Sequence, residues 1–235
     1  MVSIAATDPA AVEGTTNSTI VFTVTQTNLS TVDTTVLVKG TLTDITAADV
    51  ASISYTDADG NVMTLSTPTA IADFFATGVT VKIDAGSTTA PVITITAFDD
   101  VIFEQSEDFS VGISDELNAT LGTAVATGTI YDEDSINPIT DVDAPLGTNP
   151  TDKLGDKPVV SIAATDPSAV EGTTNGTIVF TVSQTNVSDF YTTVLVKGNL
   201  GDITAADVAS ITYVNAAGTT VTLSTPTEIA SFFTT

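Results

Sequence analysis

Acidic side chains cluster at the ends of predicted strands, and they are the residues of this sequence best able to do chemistry. Residues 97–109 read AFDDVIFEQSEDF, with two acids at the end of one strand and more in the loop that follows. A second group ends the last predicted strand, and one glutamate sits in an early turn. The acids of these three segments are Glu13, Asp99, Asp100, Glu104, Glu107, Asp108, Asp132, Glu133 and Asp134. In an antiparallel sandwich, all three segments can meet at one edge.

A cluster of carboxylates without histidine or cysteine indicates that the bound ion is a hard cation. Calcium takes six to eight oxygen ligands in flexible carboxylate cages, whereas magnesium keeps more of its water and zinc prefers nitrogen and sulfur. Calcium is therefore favoured. The alternative is that these acids are solvated turn residues with no ion. Glu107 in particular is compatible with a position facing water.

The charge balance excludes several classes of function. The chain has 29 acidic residues against 5 lysines, no histidine and no cysteine, with a net charge of −24. Nucleic acids and anionic membranes need cationic patches, which are lacking here, and no apolar run is long enough to span a bilayer. Without histidine or cysteine most nucleophile and base arrangements are also missing, so we expect no enzyme. Mutual repulsion of the acids predicts that divalent cations stabilise the fold.

The elements that position the acids are predicted to be short strands. Apolar and polar residues alternate over residues 19–25, Val79–Ile83 and residues 92–98, 109–114 and 127–131, which is typical of half-buried strands. These strands together predict an all-β, antiparallel, Ig-like sandwich. Residues 44–52 and Pro68–Ala76 predict short helical turns, the second with Thr67 as its cap. The segment DADGN predicts a hairpin turn and only weakly resembles a calcium loop.

The chain contains a tandem repeat. Residues 2–77 align without a gap to residues 160–235, and 57 of the 76 pairs are identical. We therefore predict a complete repeat over residues 1–134, a Pro/Asp-rich linker over 135–158, and the N-terminal half of a second repeat over 159–235. That half either pairs with another chain or packs as a small unit. Besides the acidic cluster and the DADGN turn, a further candidate ion site joins Asp134 to Asp141, Asp143 and Asp166 around the linker.

The first repeat resembles the Calx-β domain, known from the regulatory region of the sodium–calcium exchanger. The shared motifs are the early V-E-G turn at residues 12–14, the acidic segment at 99–109 and the terminal T-I-x-D-E-D at 129–134. The resemblance implies a Calx-β sandwich that binds calcium. Its implied ligands are Glu13, Asp99, Asp100, Glu104, Asp132, Glu133 and Asp134. The family also has a loop acid, for which Asp44 and Asp49 are candidates, although residues 44–78 depart from the usual pattern.

Tandem, acidic, cysteine-free repeats of this kind look like the extender region of large bacterial surface adhesins of the repeats-in-toxin type. We therefore expect an extracellular, calcium-stabilised structural repeat at the bacterial cell surface, whose partners are neighbouring repeats of the same polypeptide. Two alternatives stay open. One is a calcium-sensing regulatory module, and the other is a self-assembling surface filament or layer subunit that associates through the half repeat.

Overall fold

The structure is a computed structural model that describes residues 1–16, 18–88, 91–132, 157–174 and 176–234. It divides into two compact units, Met1–Phe190 and Tyr191–Thr235. The predicted linker falls almost wholly outside the described residues, so the predicted domain boundaries stay a prediction. In the described part of the chain, the helices are too short and too polar to cross a membrane.

Ten strands of the first repeat form two facing sheets. The first sheet has the order β1 (Val2–Asp8), β3 (Thr19–Gln26), β8 (Val92–Ala97), β5 (Val50–Thr56) and β6 (Val62–Leu65). The second has the order β2 (Ala10–Val12), β11 (Val125–Tyr131), β10 (Glu107–Leu117), β4 (Thr34–Leu42) and β7 (Val79–Ile83). Neighbours are antiparallel except β2 and β11, which are parallel. The predicted all-β sandwich is confirmed.

The core lies between the two sheets. Alternate residues of the strands point inward, among them Ile20, Phe22 and Val24 of β3, which are fully buried. Phe22 meets Phe109 of the opposite sheet edge-to-face, with ring centroids 5.8 Å apart. Each such buried side chain contributes about 1.5–3 kcal/mol to folding. This packing holds the strand ends, and with them the acidic residues, in fixed positions.

A hairpin and a helix follow β5 along the chain, both as predicted. The hairpin joins β5 to β6 through a turn in which Asp57 accepts hydrogen bonds from the Asp59 and Asn61 backbone N–H groups. These bonds lower the pKa of Asp57, so its negative charge stabilises the turn. Helix α1 (Pro68–Ala76) begins after Thr67, whose side chain accepts the Ala70 N–H at 3.3 Å.

The helical turn predicted at residues 44–52 is wrong for the first repeat. Residues 47–48 form only a turn, and β5 begins at Val50, which is buried and pairs with Ala97 of β8. Sheet pairing and the burial of Val50 therefore override the local helix propensity of this segment. The Asp49 side chain instead accepts a hydrogen bond from the Thr46 backbone N–H.

Gly40 of β4 is required by the packing of α1. A Cβ at this position would overlap the ring of Phe75 and press on Phe74. We expect Gly40→Ala to lower the free energy of unfolding by about 1–3 kcal/mol, the usual cost of overpacking. Gly112→Ala in β10 is the matched control, since its nearest neighbour would be the Ala124 carbonyl oxygen at 3.4 Å. Urea unfolding compares the two, and equal losses would contradict this explanation.

The second copy forms separate small sheets. Within the first unit, β12 (Val160–Asp166) pairs with β13 (Val179–Gln184), and β14 (Val187–Ser188) pairs in parallel with β9 (Ile102–Phe103) of the first repeat. The second unit contains the 3-10 turn Ala205–Asp207, the hairpin of β15 (Ile211–Val214) and β16 (Thr220–Leu223), and helix α2 (Pro226–Thr234).

Candidate metal centre

The parallel pair β2 and β11 brings two acids together at one end of the sandwich. Val12 pairs with Tyr131, so the residues that follow each strand, Glu13 and Asp132, are neighbours. The Glu13 N–H donates to the Tyr131 carbonyl oxygen at 2.9 Å, which fixes the turn after β2. Because parallel strands end at the same edge, the early glutamate and the terminal aspartate meet despite the 118 residues between them in the sequence.

Three further strands deliver acids to the same end. Asp49 precedes β5, whose start pairs with the end of β8, and its carbonyl oxygen accepts the Phe98 N–H at 2.9 Å. Asp100 follows β8, and Glu107 opens β10 opposite Ile130 of β11. The antiparallel pairings therefore place these acids at the edge where Glu13 lies.

The inner part of the cluster is buried and negatively charged. Glu13 and Asp132 are only 4% and 3% exposed. Asp132 Oδ2 accepts the Glu104 N–H at 2.7 Å. The Glu13 carboxyl group lies among the other acids of the cluster. Burial, followed by repulsion from Glu104, Asp132, Asp100 and Asp49, raises its pKa to about 10.

The outer part of the cluster has carboxylates close enough to share an ion. One oxygen each from Asp49, Glu104 and Glu107 lies within 4.8 Å of the other two. Calcium–oxygen distances of 2.3–2.6 Å place two ligands of one ion at most about 5 Å apart. The three oxygens satisfy this limit, so one metal ion can take all three as ligands.

The electrostatics of Glu104 and Glu107 favour the binding of a cation. Burial raises the pKa of Glu104 to about 8, with repulsion from Glu107, Asp49 and other acids added. Burial and the neighbouring acids, Asp49 first, raise the pKa of Glu107 to about 7. Glu107 Oε2 is buried with no hydrogen-bond partner among the residues that the structure describes. Unpaired buried carboxylates are costly unless they are protonated or bind a metal.

Asp189 of the second copy adds negative charge to the same cluster. Its N–H donates to the Phe103 carbonyl oxygen at 3.2 Å, beside the pairing of β14 with β9. A pocket lined by Asp44, Glu104, Glu107 and Asp189 opens at this point. Asp189 contributes to the raised pKa of both Glu104 and Glu107. The first repeat has Thr31 at the corresponding position, so this charge is specific to the second copy.

The structure gathers four of the seven residues implied by the resemblance: Glu13, Asp100, Glu104 and Asp132. Asp99 is exposed beside Asp100, and its pKa is raised by partial burial and by that neighbour. Glu133 and Asp134 lie outside the described residues, as do the linker acids Asp141 and Asp143. Of the two candidates for the loop acid, Asp49 is the one that meets Glu104 and Glu107 within ligand distance.

Glu107 is the member of the cluster that the sequence analysis did not include among the ligands. It precedes Phe109 by two residues on β10, and Phe109 is buried. Side chains two residues apart on a strand lie on the same face, so Glu107 is directed inward. This spacing is the signal that identifies it from sequence.

No protein-family model matches the chain, and no curated protein matches it either. Among solved structures, it is similar to the calcium binding domain CBD12 of CALX1.1, with 14% identity over 57% of this chain and 46% of that one and a TM-score of 0.40. The apo-form Calx CBD1 domain has 12% identity over 58% of this chain and 98% of that one, with a TM-score of 0.35. A collagen-binding domain from a Staphylococcus aureus adhesin has 14% identity over 56% and 97%, with a TM-score of 0.27.

The chain spans about half the length of the CBD12 structure that it resembles. At these identities and TM-scores, the likenesses assign no ligand, partner or location to this chain. The case for a metal centre rests on its own carboxylates.

Proposed function

We propose that the first repeat is a calcium-stabilised structural module, an extender repeat of a bacterial cell-surface adhesin that projects a distal binding domain. The observation that carries the proposal is the set of buried carboxyl groups, in which Glu13 lies among other acids and Glu107 Oε2 is buried without a hydrogen-bond partner in the described structure. A cation is the simplest group that pairs with such a carboxylate.

In the described residues, the ion pairs of the protein's own lysines do not involve the acids of the cluster. The ion pairs there join Lys82 to Asp33 and Asp84, at 3.5 and 2.9 Å, and neither aspartate belongs to the cluster. All the side chains of the cluster offer carboxylate oxygens, which suit calcium better than zinc. An external divalent cation therefore supplies the missing positive charge.

The extender role follows from the arrangement of the chain. Near-identical copies in tandem favour a spacer over a division of labour between domains. Calcium would neutralise the repulsion among the acids of each repeat and so stiffen it.

Glu13→Gln tests the site directly. We expect calcium affinity to fall by about tenfold or more, since a ligand charge is lost. In the metal-free protein at neutral pH, the same change should raise the melting temperature because Glu13 must take up a proton on folding, whereas glutamine needs none. Calorimetric titration and thermal unfolding measure the two effects.

The matched control is Asp59→Asn in the β5–β6 turn, where the second copy has Ala217. It should change neither calcium affinity nor metal-free stability appreciably. Unaltered calcium binding by Glu13→Gln, or equal binding of magnesium by the unmodified chain, would contradict the assignment of the calcium site.

A further inference from the structure

Residues 187–190 of the second copy contact the first repeat beside the acidic cluster. Their strand β14 pairs in parallel with β9, and the Asp189 N–H donates to the Phe103 carbonyl oxygen at 3.2 Å. Glu104 follows Phe103 directly in the sequence. In the first repeat, the corresponding residues 29–30 are not part of a strand. The backbone pairing with β9 therefore holds a segment of the second copy next to the acids.

The acid of this segment occupies a different position in the two copies. In the first repeat, Asp33 pairs with Lys82 of the same repeat at 3.5 Å. The second copy has Tyr191 in place of Asp33, and it has Asp189 where the first repeat has Thr31. The acid is thus displaced by two residues along the chain. It leaves a position that forms an ion pair within one repeat and takes one beside the cluster of the neighbouring repeat.

The displaced acid lines the same cavity as the acids of the first repeat. Asp44, Glu104, Glu107, Asp189 and Phe190 all border this cavity of about 220 Å³, which has room for an ion and several waters. The buried Glu107 Oε2 atom has no hydrogen-bond partner among the described residues. Repulsion from Asp189 contributes to the raised pKa of both glutamates. Another carboxylate at this point is unfavourable by itself and favourable as the ligand of a bound cation.

We propose that Asp189 is a ligand of the calcium ion held by Glu104 and Glu107, so that calcium fastens residues 187–190 of the second copy to the first repeat. The role of Asp189 rests on the calcium site proposed above and adds the neighbouring copy to it. Calcium takes six to eight oxygen ligands, so one oxygen each from Asp49, Glu104 and Glu107 leaves positions open. The Asp189 side chain is exposed and is free to turn towards the ion while its backbone stays paired with β9.

Asp189→Ala in the full chain tests the ligand. We expect the calcium affinity, measured by calorimetric titration, to fall by about tenfold, because the number of charged ligands sets the affinity of such sites. Glu116→Ala is the matched control. It removes one negative charge from an exposed position near the other end of β10 from Glu107, and it should leave the affinity unchanged.

Amide hydrogen exchange tests the fastening. In the unmodified chain, calcium should slow exchange of the Asp189 amide, which donates to Phe103, by more than about tenfold. In Asp189→Ala, calcium should still protect β10 and β11, whereas the amide at position 189 should exchange as fast as in a chelator.

Equal calcium affinities of Asp189→Ala and the unmodified chain would overturn the role of Asp189. So would calcium protection of β10 and β11 without any slowing at position 189. Both results would leave the calcium site of the first repeat in place. If calcium neither bound the unmodified chain nor protected β10 and β11, the calcium site itself would be contradicted, and the role of Asp189 with it.

Discussion

Adding calcium to the metal-free chain should raise the free energy of unfolding of the first repeat by about 4 kcal/mol when calcium reaches about a thousand times its Kd. For a domain of this size, the melting temperature should rise by about 10 °C or more. The physical reason is that the ion pairs with Glu13, Glu104 and Glu107, whose carboxylates otherwise repel one another in a buried site. Thermal unfolding in calcium and in a chelator measures the difference.

Magnesium and sodium chloride are the controls for this experiment. Simple salt screens exposed charges but reaches buried groups far less, so it should give only a small part of the effect. Glu107→Gln should lose much of the calcium-specific gain, whereas Asp59→Asn should keep it. A gain that magnesium or salt reproduces in full would mean that the acids act as a solvated surface and hold no specific ion.

Raising the pH should destabilise the metal-free protein. The pKa values of Glu107, Glu104 and Glu13 are about 7, 8 and 10 in the folded chain, against an ordinary value of 4.5 for glutamate. Between pH 4.5 and these values, the folded state holds more protons than the unfolded state, so stability falls as the pH rises. From pH 5 to pH 8, Glu13 alone would contribute a loss of about 4 kcal/mol, and the partly exposed Glu104 and Glu107 add a smaller loss because solvent screens them.

Calcium should remove this pH dependence. The ion binds the ionised carboxylates, so its affinity should increase with pH, and binding at pH 7 should release roughly two protons, chiefly from Glu13 and Glu104. Urea unfolding from pH 5 to pH 8, with and without calcium, measures the first effect. Calorimetry in buffers of different ionisation enthalpy counts the protons. Equal pH profiles with and without calcium would contradict the assignment.

Much of the sandwich is predictable because its signals are local. The alternation in β3, β8 and β10 indicates which side chains face the core, and Thr67 with Pro68 marks the start of α1. Local signals failed at residues 44–52, where the pairing of β5 with β8 decided the conformation.

The composition of the candidate site was less predictable because it depends on how distant strands pair. No local pattern aligns the start of β5 with the end of β8, and this alignment brings Asp49 to Glu104 and Glu107. The same limit appears in the repeats. Phe22 and Phe180 occupy identical sequence positions, yet one is buried and the other exposed, since their surroundings come from other parts of the fold.

A crystal structure of the calcium-loaded chain, with the ion located by its anomalous scattering, tests the central claim most directly. The predicted result is calcium at the end of the sandwich, bound by oxygens of Glu104 and Glu107 at about 2.3–2.6 Å, with Asp49 and Glu13 completing the carboxylate set. Crystals grown in saturating calcium with no ion among these side chains, or with calcium only at surface acids such as Asp57 and Asp84, would contradict it.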